Sequence, residues 1–438
     1  MHTGLRDNVT LERQLGFWPV VAVVVGTIIG SGIFRVPGVV AAEAGTALGI
    51  GAVWVLGGLV MLCGSLALAE LAAAFPRSGG VFVYLREIYG PGVAFLYGWT
   101  LLVVAPAGAA GIALVFAEYL GRLVPLSPFA IRMVAAGAII VVAAAGYRSV
   151  RGAGAIQSAA AAAKVGGLLA LVVAGFLLGD GQAGAFGTGA SRTATSWAGA
   201  GVGLVAALWA YNGFQDMVSI SGEVRDPSRV LPRGLIAGAA IIIAIYLAAN
   251  AAYLYVLPFS TLQGSPLVAA DVAVAVLGPG GAAVVSAMVM VSTFGALNGM
   301  VLVNPRVFYA MAEDRLLFAP LARVHPRFAT PHVAVASYAA VALVFVFSRS
   351  FEQLAEAFVL GVFPFLALSC VGVLVLRRQQ PGLRRPYRMP GSWPVPALFV
   401  AATLWVFWSA LSVRPGSTIA GILFTLLGIP VYLWQRRH

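Results

Sequence analysis

The chain has 438 residues, of which 61% are hydrophobic and 10% charged, and its mean hydropathy is +0.95. Soluble domains carry about 25% charge, so a water-soluble globule, a disordered chain, a secreted disulfide scaffold and a fibre are excluded. An integral membrane protein with many spans remains. The formal net charge of +12 then reads as arginine-rich loops kept on the cytoplasmic side, with no nucleic acid as partner. The two cysteines, Cys63 and Cys370, lie in apolar runs and predict free buried thiols. The four histidines, His2, His325, His332 and His438, avoid the span centres, which predicts no intramembrane metal and no haem.

A helix needs about 20 apolar residues to cross the hydrocarbon core. The polar residues 1–16 predict a cytoplasmic tail without a cleavable signal. The first predicted span, 17–41, contains Gly26-Thr-Ile-Ile-Gly30-Ser31-Gly32-Ile-Phe34. Three glycines and a serine weaken a helix at mid-membrane. Backbone left unpaired there survives only where it lines a cavity or binds something. An inner half ending near Ile28 would offer carbonyls to an ammonium. An outer half starting near Ser31 and Gly32 would offer N–H groups to a carboxylate. The competing reading is a stripe of small residues for close helix packing.

Spans two to four are predicted at 47–73, 93–121 and 129–146. The fifth, 155–178, holds Lys164, the sole lysine beside 26 arginines. An ammonium at a helix centre in the membrane costs at least ~2.5–3.5 kcal/mol. Lys164 is either a snorkelling cation near the cytoplasmic end or a fixed or titratable cation of a transport site, a role closed to arginine because arginine keeps its proton.

The sixth span, 199–223, reads Ala207-Leu-Trp209-Ala210-Tyr211-Asn212-Gly213-Phe214-Gln215-Asp216, polar in its middle, and leaves through Glu223. Asp216 and Glu223 are intramembrane carboxylates and so functional candidates. The remaining spans are predicted at 234–257, 280–309, 332–348, 352–376, 394–413 and 416–434, and 267–277 as a short surface helix. Glu70 and Glu118, at span ends, read as solvated ends or gate ion pairs. Most of Trp18, Trp99, Trp393, Trp405, Trp408 and Trp434 read as interfacial anchors. Placing the N-terminus inside puts twenty arginines on the inner side and six outside, so both termini are expected in the cytoplasm. Interruptions in the first and sixth spans point to an inverted repeat, 17–178 and 199–376, with 394–434 appended. Neither a P-loop nor a zinc-protease or nucleophile-elbow motif occurs.

These motifs, together with Glu43-Ala-Gly45, Ala69-Glu70-Leu71, Ser78-Gly-Gly80, Tyr89-Gly90, Gln157, Ala163-Lys164, Glu223-Val-Arg-Asp-Pro227, Phe294-Gly-Ala-Leu-Asn298, His325-Pro326 and Thr330-Pro331, run over nearly the whole chain. The chain resembles the amino acid–polyamine–organocation superfamily, and within it the L-type amino acid transporters and their bacterial relatives. The resemblance implies an all-α, twelve-span leucine-transporter-type fold with broken helices one and six, and sodium-independent secondary transport of L-amino acids, neutral ones foremost, by proton symport or exchange in the cytoplasmic membrane.

By the same resemblance the substrate carboxylate meets Gly30, Ser31 and Gly32. The amino group meets carbonyls at Ile28, Trp209 and the second break, Ala210, Asn212 and Gly213. Trp209 is the implied outer gate, and Lys164 occupies a sodium site of sodium-coupled relatives, with Ser292 and the Gly26 region as partners. Tyr211, Asp216 and Asn298 are candidate pocket lining. Trp209, Asn212 and Asp216 depart from common choices at their places and leave the side-chain specificity open. The cysteine that mammalian L-type members use to bond a heavy chain is missing, so a single-chain bacterial protein without cofactor is expected. The alternatives are a cationic amino acid or polyamine permease relying on Asp216, and a transporter-like sensor. A membrane enzyme would need an acid/base cluster that the scattered carboxylates and histidines do not make.

Overall fold

A computed structural model of the chain describes residues 15–76, 79–148, 153–181, 196–216, 218, 224–314, 316–328 and 330–435. The tail before residue 15, Ser78, Glu223 and the side chain of Gln157 lie outside the described residues. The described helices are α1 (Phe17–Ile28), α2 (Gly32–Ala44), α3 (Ala47–Ala74), α4 (Gly80–Tyr89), α5 (Pro91–Leu123), α6 (Pro128–Arg148), α7 (Ala153–Leu178) and α8 (Trp197–Ala210). They continue as α9 (Pro227–Val256), α10 (Phe259–Gly264), α11 (Val268–Glu313), α12 (His332–Ser348), α13 (Phe351–Gln379), α14 (Pro394–Val413) and α15 (Pro415–Gln435). Among the described residues, eight helices are long and apolar enough to cross a membrane, or nine when α1 and α2 count as one bent span. The shorter apolar helices α7, α8 and α12 take the remaining places among the twelve predicted spans.

Local chemistry sets the helix starts. α5, α6, α9, α14 and α15 each begin with proline, which supplies a helical φ where no N–H is needed. Thr46 and Ser196 cap α3 and α8 by accepting from Gly49 N–H and Gly199 N–H at 3.0 and 2.9 Å. Ser350 and Gln353 form a capping box at α13.

Two stretches differ from expectation. The 267–277 segment is a short helix of its own, set off from the rest of α11 by the non-helical Gly278 (φ 71°), but it does not lie on the surface, because it buries Val268, Ala269, Ala270, Val272 and Ala273. Its Asp271 pairs with Arg122 and accepts from Ser265 Oγ at 2.6 Å. Helix α4 was not anticipated. It buries Val81, Tyr84, Leu85 and Ile88, the i, i+3, i+4, i+7 face of an amphipathic helix, and is too short to span.

Helices α1, α2, α3, α8 and α9 pack as one group, and α5, α6, α11 and α12 as another. Helix α7 touches α1, α9 and α11, while α13 lies against α5, α3, α8 and α14. Gly234 and Gly238 of α9 face Val20 and Val24 of α1 so closely that a Cβ would overlap them. Such small residues let helices approach where the hydrophobic effect gives no drive. A parallel bridge between Leu15 and Val224 ties the start of α1 to the segment after the sixth span, with Arg225 N–H on Leu15 O at 2.8 Å.

Candidate substrate site

The first span breaks where glycine and serine concentrate. Helix α1 stops at Ile28, α2 starts at Gly32, and the two meet at 50°. Ser31 precedes α2 without capping it through its side chain, so the first-turn N–H groups of α2 have no partner within their helix. Helix α8 stops at Ala210, and residues 211–216 continue as turns. Gly213 takes φ 120°, a conformation that favours glycine. The turn closes on itself. Gln215 Nε2 donates to Asn212 Oδ1 at 2.9 Å, and Gly213 N–H donates to Gln215 Oε1 at 3.3 Å.

The two breaks touch each other. A Cβ on Gly32 would stand 2.6 Å from Ala210 Cβ. A Cβ on Gly213 would stand 3.1 Å from Thr27 O. The structure thereby brings together Ile28, Gly30, Ser31, Gly32, Ala210 and Gly213. Tyr246 of α9 joins them: its hydroxyl lies 3.0 Å from both Ile28 O and Ala210 O. One hydroxyl proton can serve only one carbonyl at a time, so one of the two carbonyls is always without this donor. Ile28 O also accepts from Gly30 N–H at 2.7 Å, and Trp209 O accepts from Asn212 N–H at 3.2 Å. These carbonyls are therefore partly engaged.

Tyr211 is buried. Its ring packs against Trp54 and Tyr246 at 5.6 and 5.0 Å between centroids, and its hydroxyl donates to Trp54 O at 3.1 Å. The physical reason is space: Gly57 and Gly58 of α3 leave room for that ring. Asp216 is exposed, and Asn298 of α11 is half-buried; neither side chain has a hydrogen bond among the described residues. Lys164 on α7 is 3% exposed and Ser292 on α11 is 1% exposed. Ser292 Oγ has no hydrogen-bond partner, and no bond joins it to Lys164 among the described residues. Gly26 is buried on α1.

The family model for amino acid permeases matches residues 15–432. The chain belongs to the amino acid permease family. With that membership comes the leucine-transporter-type fold, in which the helices above take their places, and the permease is a transporter rather than an enzyme. It is similar to the serine/threonine exchanger SteT of Bacillus subtilis, 31% identical over 442 residues that cover 100% of this chain and 99% of the relative. It is 30% identical to the cystine/glutamate transporter of Homo sapiens over 447 residues, covering 99% and 88%. The b(0,+)-type amino acid transporter 1 of Mus musculus is 28% identical over 439 residues, covering 98% and 89%.

On the side of the site lined by α2 and α13 the permease packs aromatic rings and ion pairs together. Trp209 is buried, with Phe351 and Phe358 edge-on at 5.9 and 5.3 Å. Above Phe351 lies Arg35, 5.0 Å from the ring centroid. Arg35 donates to Glu118 of α5 at 2.9 Å and to Glu352 of α13 at 2.7 Å. Glu118 is thus an ion-paired residue. On the opposite side Glu70 is buried as well, accepting from Arg377 at 2.9 and 2.5 Å and from Met389 N–H at 2.7 Å. Neither the Arg35 triad nor Tyr246 stood out in the sequence.

Proposed function

We propose that this permease exchanges or imports small neutral L-amino acids by alternating access, without sodium, across a bacterial cytoplasmic membrane. The observation that carries this reading is the abutment of the two breaks. Free N–H groups of the α2 first turn suit a carboxylate. The Ile28 and Ala210 carbonyls, sharing one Tyr246 proton, suit an ammonium. A zwitterion would exchange its hydration for these main-chain groups. Exchange is favoured over net uptake by the similarity to a serine/threonine exchanger.

Buried Lys164 is proposed as the fixed or titratable cation, on α7, which packs against α1 and α11. The arginine-rich face is assigned to the cytoplasm, with both termini there. No heavy chain is proposed, since both cysteines are free and buried. A cationic substrate is the second reading, favoured by the carboxylate of Asp216, which has no hydrogen bond among the described residues.

A counterflow panel of the twenty amino acids in proteoliposomes, with and without a pH gradient, tests the proposal. We expect serine-sized neutral substrates to exchange and sodium to have no effect. Lys164→Gln should change the rate or its pH response; an unaltered profile would remove Lys164 from the mechanism. Loss of arginine or putrescine flux alone in Asp216→Ala would favour the second reading.

A further inference from the structure

We infer that the groove between the end of α13 and the start of α14 is a binding site for one anionic phospholipid. The groove has a volume of about 460 Å³ and is lined by Val371, Leu374, Val375, Pro396, Ala397 and Val400, with Arg378, Gln379 and Trp393 at one end. Its walls are apolar except at that end. From Val371 to Gln379 the groove runs roughly 12 Å along α13, against about 15 Å for the hydrocarbon of one leaflet. An acyl chain laid along it would reach from interface to mid-membrane.

The polar end supplies the headgroup chemistry. The Arg378 guanidinium lies 5.8 Å from the Trp393 ring centroid. Trp393 is 64% exposed, as suits an indole at headgroup depth. Two of the neighbouring cations are already used: Arg377 pairs with Glu70 at 2.5 Å, and Arg385 donates to Leu376 O at 2.8 Å and Gln380 O at 2.7 Å. Arg378 has no hydrogen bond or ion pair among the described residues and is exposed. A cation without a counter-ion at the mouth of an apolar groove, on the arginine-rich face, matches a phosphate carrying an acyl chain. Basic pockets between spans on the cytoplasmic side bind such headgroups. A zwitterionic lipid would fill the same groove, but its headgroup cation would offset the phosphate that Arg378 meets.

The test is native mass spectrometry of the full chain in detergent, titrated with phosphatidylglycerol or with phosphatidylcholine of the same acyl chains. One phosphatidylglycerol should bind roughly five-fold more tightly than phosphatidylcholine, the ratio that one surface arginine supplies. Arg378→Gln should make the two lipids equal. Ala397→Trp, which fills the groove, should lower occupancy by both. Glycerol phosphate, an anion without a chain, should displace neither. The inference is overturned if Arg378→Gln keeps the preference, if a folded Ala397→Trp keeps full occupancy, or if glycerol phosphate competes. Should Ala397→Trp fail to fold, Arg378→Gln decides alone.

Discussion

Two residues govern the proposed site in different ways. Gly32 is where α2 rests on Ala210, and a side chain there meets both the Cβ and the backbone of Ala210. Overpacking of this kind costs about 1–3 kcal/mol, and here the strain falls on the contact between the breaks. Gly32→Ala should reduce exchange at least ten-fold while the purified protein still melts cooperatively. Wild-type exchange in that variant would mean that the contact is not used. Tyr246 acts through its single proton. Tyr246→Phe keeps the ring packed on Trp54 and Tyr211 but removes a bond whose net worth is about 0.5–1.5 kcal/mol. The Ile28 and Ala210 carbonyls then lose their shared donor. We expect a several-fold change in apparent substrate affinity in counterflow, with a melting temperature close to wild type; an unchanged affinity would make the tyrosine a packing residue only.

At the scale of elements, α2, α5 and α13 converge on Arg35, and the proposed transport assigns this junction to the outer gate. Removing its charge leaves Glu118 and Glu352 facing each other without a counter-ion, and like charges in a partly buried site repel. Arg35→Gln should therefore favour the conformation open on that side. A cysteine placed at Ala206, which lines the closed cleft with Glu43, Glu352 and Arg414, should then react faster with a membrane-impermeant thiol reagent; an equal rate would show that the ion pairs do not hold the gate. These elements were unequally legible beforehand. The break at Ser31 was readable because glycine and serine weaken a helix wherever they cluster. That at Tyr211 was readable because polar residues interrupt an apolar run. The pairing of Arg35 with residues 83 and 317 positions away is tertiary and leaves no local pattern. Tyr246 sits in an apolar span whose sequence says nothing of what its hydroxyl reaches. Helix α4 hid behind its length, and the 267–277 segment was judged by span length although its buried face makes it part of the packed interior.

At the scale of the molecule, one helix group carries both breaks and a second group, with α7 between, provides the frame against which it can move. Rocking of one group against the other presents a fixed site to alternate sides. The Arg35 pairs hold one side and the Glu70–Arg377 pair the opposite side, and both sets are formed together in this structure, so opening towards either side requires that the set on that side loosen. The central claim is that main-chain groups of the two breaks recognise the carboxylate and ammonium of one substrate together. The most direct measurement is counterflow of the best-exchanged amino acid in competition with its methyl ester, its N-acetyl derivative and the unmodified compound. We predict that only the compound with both charged groups free competes. Equal competition by the ester or by the N-acetyl derivative would contradict the account.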